Sequence, residues 1–172
     1  MDTIECIATK FDVRQFSNDQ ISDETKKKIL DAARFSGSGL NTQHWRFVLV
    51  EKKENLIKLA QDSTSGQWVS GASFAVIILT NPQYKFHALD AGRVVQNMQL
   101  AAWNLGIASG IFTGVNEDKI RKHFSVPDSL SLTVTLGFGI PAGKHNPRRK
   151  NRKPLHELVF SERFGNSMQA YS

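Results

Sequence analysis

Three stretches of this sequence gather the polar and cationic side chains that could hold a charged ligand. In "KFDVRQF", Lys10, Asp12 and Arg14 alternate, so an extended chain aims all three the same way. In "RFSGSGLNTQHWRFVLV", Arg34 to Val50, two glycines, two serines, an Asn, a Thr and a Gln separate a helical run from an apolar strand. In "NPRRKNRKP", Arg148, Arg149, Lys150, Arg152 and Lys153 fall within six positions. The chemistry these residues suit is anion binding. A phosphate monoester calls for two or three cations with forked donors, which Arg supplies best. The small-residue loop would add backbone N–H groups with little side-chain bulk, which suits close approach to a planar ligand.

Other chemistries are poorly represented. The five histidines, His44, His87, His123, His145 and His156, show no metal-ligand spacing and no HExxH. There is no G-x-S-x-G elbow and no G-x-x-x-x-G-K-[ST] phosphate loop. "GFGIPAG" ends in proline and leads into a basic coil rather than a helix, so a dinucleotide-binding turn is not expected there. One cysteine, Cys6, excludes an intrachain disulfide framework and reads as a small core residue of an N-terminal helix. A nucleophilic Cys6 paired with a distant histidine stays open at this point, with no motif in its favour.

The elements that must position the three stretches follow from periodicity. "DTIECIAT" puts Ile4 and Ile7 on one helical face, and "SDETKKKILDAARFS" is a helix with Ser22 as its N-cap and acids in its first turn. "WRFVLVEK" predicts a strand, "KKENLIKLAQDS" an amphipathic helix, and "SFAVIILTN" a strand covered on both faces. "HALDAGRVVQNMQLAAWNLG" is a long helix, apolar on most sides, which predicts one face on the sheet and another on a partner subunit. "GIASGIFTG" and "SLTVTLGFGIP" predict strands, and "NEDKIRKHF" a helix capped by Asn116. Leu155, Leu158, Val159, Phe160 and Phe164, so late in the chain, require cover from the domain or from a neighbour. The expected fold is α+β, a three-layer α/β/α sandwich around a central mixed, mostly antiparallel sheet.

The 172 residues, 40% hydrophobic and 22% charged, suit a single domain over 1–172. The net charge of +6 favours anionic partners. No apolar run approaches the roughly 20 residues of a bilayer span. "MDTIECIATK" is too polar and acidic for a signal peptide. A cytoplasmic protein is therefore expected, with no membrane partner. A nucleic-acid module built on "RRKNRK" is disfavoured, because its basic residues are not interleaved with exposed aromatics and no recognition helix stands out.

The order of the segments from Lys10 to Gly165 resembles the FMN-dependent nitroreductase family. Its most specific element is the N-x-Q-x-W of Asn41, Gln43 and Trp45, set between a helix and a strand. The "QNMQLAAWNLGI" helix and the final basic-Pro-Leu-x-E-x-V segment add to it. The resemblance implies a homodimer with FMN at the subunit interface and NADH or NADPH as hydride donor. It also implies ping-pong hydride transfer through flavin N5 to a nitroaromatic, a quinone or a similar acceptor. Lys10, Arg14, Lys150 and Arg152 would meet the FMN phosphate and ribityl chain. Asp12, where the family usually has Ser, would reach a ribityl hydroxyl or pair with Arg14. Ser38, Gly39, Leu40 and Asn41 would approach the FMN of the partner subunit, with Asn41 buried and Trp45 anchoring the loop in the core. Thr113 and Gly114 would neighbour flavin N5, and Gln67 the pyrimidine edge. Gly37 and His44 stand where many members have Pro, which would loosen the loop. Residues 154–172 would form an extension packing on the partner subunit. Two other readings stay open: a non-redox FMN binder, or a specialised member catalysing dehalogenation or flavin fragmentation.

Overall fold

The strand Phe74–Thr80 is buried along its whole length, and its two faces meet different helices. The structure, a computed structural model, describes residues 1–143 and 150–166. In chain order the elements are α1 (Thr3–Thr9), α2 (Asp23–Arg34), β1 (Arg46–Val50), α3 (Lys53–Gln61) and β2 (Phe74–Thr80). They continue with α4 (His87–Asn104), β3 (Ala108–Phe112), α5 (Glu117–Phe124) and β4 (Ser131–Gly139). Short 3-10 turns at Gly39–Asn41, Gln67–Gly71 and Leu155–Glu157 have no counterpart in the sequence periodicity. The caps form as their residue types dictate: Ser22 accepts from the Thr25 amide and Asn116 from the Lys119 amide.

The sheet runs β1-β2-β4-β3, and every strand pairing is antiparallel. A single parallel bridge, Asp12 with Ser109, lies on the outer edge of β3 and supplies the mixed character. Phe74, Val76 and Ile78 of β2 pack with Val94, Met98 and Ala102 of α4 and with Ile29 and Ala33 of α2. The alternate residues Ala75, Ile77 and Leu79 pack with Leu56 and Leu59 of α3 and Ile120 of α5. Side chains alternate across a strand, so these two cores are the two faces of one sheet and the domain has three layers.

The outer surface of α4 is open within one chain. α4 buries Ala91, Val94, Val95, Met98 and Ala102, but Ala88, Leu89, Gly92, Arg93 and Gln96 are exposed in the single chain. Ile4, Ile7, Leu155, Leu158 and Phe164 are also exposed. The sheet and α2 pack on the inner side of α4 and α1 reaches it at Leu100, which leaves its outward residues uncovered by the described residues of one chain. Cys6 and Trp45 are buried, as their settings predict.

Candidate functional site

α1 ends at Lys10, which caps it in an extended conformation and sends residues 11–13 along the open edge of β3. The Val13 amide donates to the Ser109 carbonyl at 2.9 Å. Val13 is therefore buried while Asp12 and Arg14 are exposed, the alternation that an extended segment requires. Two aromatic contacts fix the turn into this segment. Phe11 packs edge-on against Trp103 of α4 at 5.0 Å, and the Trp103 indole donates to Thr9 at 3.0 Å. Gly110 makes the close approach possible, since a Cβ there would lie 2.7 Å from the Val13 carbonyl oxygen and 2.7 Å from the Trp68 ring. Gly110→Val is expected to push residues 11–14 off the sheet edge. Ligand affinity at the cleft described next should then fall at least about tenfold, alongside a loss of thermal stability.

Lys10, Asp12, Lys150 and Arg152 line one open cleft of about 560 Å³, together with Ile7, Phe11 and Gln96. Lys10 is paired with Asp12 at 2.5 Å. Gln99, buried on α4, donates to the same Asp12 oxygen at 3.1 Å and to Ser109 at 3.2 Å. Asp12 thus takes Lys10, not Arg14, as its ionic partner, because the parallel bridge to β3 turns its side chain toward α1 and α4. Lys150 donates to the Ile7 carbonyl at 2.6 Å, and Arg152 to the Asn151 carbonyl at 2.9 Å. Among the described residues neither has a carboxylate partner. Burial, then the neighbouring Arg152 and Lys10, hold the Lys150 ammonium below the usual lysine range. The cleft therefore carries surplus positive charge.

Arg14 stands apart from this group. It lines an adjoining cleft with Phe11, Asp12, Val13 and Gln15, and its guanidinium lies 6.0 Å from the centre of the Trp68 ring. Gln67 and Gly114 meet through the loop between α3 and β2. Gln67 donates to the Ser63 carbonyl at 3.0 Å, and the Thr64 amide donates to the Gly114 carbonyl at 2.9 Å. Thr113 is exposed beside them. Strand β3 joins this cluster to Asp12: Ser109 sits near its start and Thr113 follows its end, roughly 13 Å apart at the rise of a strand. Arg148 and Arg149 lie outside the described residues.

The loop carrying Ser38, Gly39, Leu40 and Asn41 lies against the exposed face of α4. Gly37 lines a third cleft with Leu89, Gly92, Arg93, Gln96 and Asn97. Gln96 faces both this cleft and the cationic one. Asn41 is exposed, with only Gln43 donating to its side chain at 3.3 Å, so the expected burial is absent within one chain. His44 is buried and bonded to Asp90 at 3.2 Å. Periodicity had left Gln96, Gln99 and Asp90 unmarked. Their signal was polarity on a largely apolar helix, with Asp90 and Gln99 on its buried side and Gln96 on its exposed side.

The fold and cleft define a class: an α+β sandwich with a cationic cleft between a sheet edge and a helix. The nitroreductase family model matches residues 7–81 and 67–140. The chain is 31% identical over 147 residues to a protein of Archaeoglobus fulgidus provisionally named NADH dehydrogenase/NAD(P)H nitroreductase, covering 80% of this chain and 84% of that one. It is 26% identical over 180 residues to the NADPH-flavin oxidoreductase of Vibrio harveyi, covering 94% of this chain and 74% of that one. A provisionally named nitroreductase of Desulfovibrio desulfuricans, solved in complex with FMN, superposes with a TM-score of 0.83 at 25% identity, covering 95% of this chain and 99% of that one. This chain belongs to the nitroreductase family.

Proposed function

We propose that this protein is an FMN-dependent NAD(P)H oxidoreductase that works as a cytoplasmic homodimer. The observation that carries the reading is the cationic cleft of Lys10, Lys150 and Arg152, in a chain of this family. The donors fit a phosphate: Lys150 and Arg152 are free of carboxylates among the described residues, and the Lys10–Asp12 pair leaves no net negative charge beside them. Lys150 and Arg152 hold the phosphate, with Lys10 screening Asp12. Gln99 and Lys10 fix the Asp12 carboxylate so that its remaining lone pairs accept from a ribityl hydroxyl. Arg14, Gln67, Thr113 and Gly114 border the ring system. Ser38, Gly39, Leu40 and Asn41 close the site from the partner subunit. Bound FMN supplies two-electron hydride chemistry between NADH or NADPH and an acceptor such as a nitroaromatic or quinone, which no side chain here supplies.

Dimerisation is supported by the uncovered face of α4 and by the exposed Leu155, Leu158 and Phe164, which we assign to the extension packed on the partner; its last residues, 167–172, lie outside the described residues. Among the described residues no helix is long and apolar enough to cross a membrane. The activity is tested by NADPH consumption with a quinone or nitroaromatic acceptor. Turnover that requires both FMN and the acceptor is expected, and bound FMN without turnover would favour the non-redox or specialised readings.

FMN affinity should also depend on pH. The Lys150 ammonium is held below the usual lysine value, so its charge is lost at a lower pH than for a free lysine. Binding stabilised by that charge is complete below the lowered value and weakens as pH rises through it. Lys150→Arg, which stays charged, should flatten the alkaline limb of the FMN titration. Identical pH profiles for the two proteins would remove Lys150 from the phosphate site.

A further inference from the structure

The loop between α2 and β1 has a backbone that ordinary connections avoid. Leu40 (φ 53, ψ 21), Asn41 (φ 55) and Gln43 (φ 46) all occupy the left-handed region, where a Cβ crowds the main chain. Three such residues within four positions persist only where their surroundings dictate the conformation, and conformations of this kind gather at ligand sites.

The dictating group is Asp90. Its side chain is fully buried on α4, and one carboxylate oxygen accepts from both ends of the run. The Gly39 amide donates from just before Leu40 at 3.0 Å, and the His44 Nε2 donates from just after Gln43 at 3.2 Å. His44 Nδ1 accepts from the Asn81 amide at 3.4 Å, which assigns the proton to Nε2. The second Asp90 oxygen accepts from Arg93 at 3.2 Å. Aromatic rings back these bonds. His44 stacks on Tyr84 at 5.1 Å, and the Phe86 ring lies against Gly39, where a Cβ would approach to 2.7 Å. Asp90 also lies six residues before Gln96, about 9 Å along α4, with its side chain on the buried side while Gln96 lines the cationic cleft.

We propose that Asp90 and His44 are positioning residues: together they clamp the loop of residues 39–44 in the left-handed shape that meets FMN. The inference rests on the FMN reading above. A connection that served only to join α2 to β1 would need no buried carboxylate closing it at both ends. The clamp also fastens the loop to α4, the helix whose Gln96 reaches the phosphate-binding cleft, so that loop and cleft are set by one element.

Two measurements on His44→Ala and His44→Gln test the clamp. One is amide hydrogen exchange of loop peptides in the FMN-free protein, and the other is FMN affinity by titration of that same protein. His44→Ala should speed exchange in the loop, and weaken FMN binding, by about tenfold, the scale of one buried hydrogen bond. In His44→Gln a side-chain N–H can again donate to Asp90, so both values should return most of the way toward wild type. Unchanged loop exchange in His44→Ala, or equal impairment of Ala and Gln variants, would overturn the clamp. Should His44→Ala fail to fold, Tyr84→Leu removes the ring stacked on His44 while leaving the donors Gly39 and His44 and their acceptor Asp90 in place, and faster loop exchange with weaker FMN binding is expected there too. Wild-type protein that takes up no FMN would overturn the function proposed above and with it the cofactor-facing role. Loop exchange in His44→Ala would still decide whether the clamp exists.

Discussion

With Lys150 and Arg152 both replaced by alanine, the protein is expected to fold, to purify colourless, and to hold FMN roughly 100- to 10,000-fold more weakly than wild type. A hydrogen bond to a charged group contributes about 1.5–3 kcal/mol. Two such contacts amount to about 3–6 kcal/mol, and each 1.4 kcal/mol is about tenfold in affinity. Neither residue supports the core: among the described residues Lys150 reaches the Ile7 carbonyl and Arg152 the backbone of Asn151. Folding should therefore survive, which circular dichroism checks while fluorescence titration reads the affinity. Lys10→Ala should act differently. It leaves Asp12 facing the phosphate with Gln99 alone for support, so repulsion adds to the lost cation. An affinity unchanged in the double variant would mean that the phosphate lies elsewhere.

Phe138→Ala is expected to cost about 3–5 kcal/mol of stability, the usual range for emptying a buried aromatic site. Phe138 is fully buried on β4, stacked on Phe74 at 4.7 Å, and its strand lies between β2 and β3. At about 2–4 °C per kcal/mol for a chain of this size, the melting temperature should fall by roughly 6–20 °C. A fall below about 2 °C would show that the layer between α4 and the sheet had closed over the gap, and would contradict a rigid core on that face.

Much of the fold was legible because local patterns carried it. "SFAVIILTN" lacks any alternation of polar residues, and β2 is indeed buried on both faces by α4 and α2 on one side and α3 and α5 on the other. Ser22 and Asn116 cap the helices that their spacing announced. Strand order was not legible, since the β2–β4 pairing joins residues from Thr80 and Ser131, 51 positions apart, to Phe74 and Phe138, 64 apart, and only tertiary packing selects it.

The candidate site divides in the same way. The family resemblance implied that Lys10 and Arg14 converge with Lys150 and Arg152; the cleft brings Lys10, Lys150 and Arg152 together, and Arg14 lines the adjoining one. The partner of Asp12 was not legible, because Arg14 and Lys10 are equally spaced from it and the bridge to Ser109 decides between them. At His44 the sequence shows a departure from the family that would loosen the loop, and its bond to Asp90 was not legible. Sequence alone shows that a proline is missing there, but not that a buried carboxylate 46 positions later takes its place as the fastening. Asn41 is the reverse case: a loop asparagine suggested burial, and its exposure in one chain follows from a loop that faces outward from α4.

The account stands most directly on the visible spectrum of the freshly purified protein, recorded before and after anaerobic addition of NADPH. A bound flavin spectrum, near one FMN per chain, that bleaches with NADPH and returns on adding a quinone is the predicted result. Protein that is colourless and takes up no added FMN would contradict it.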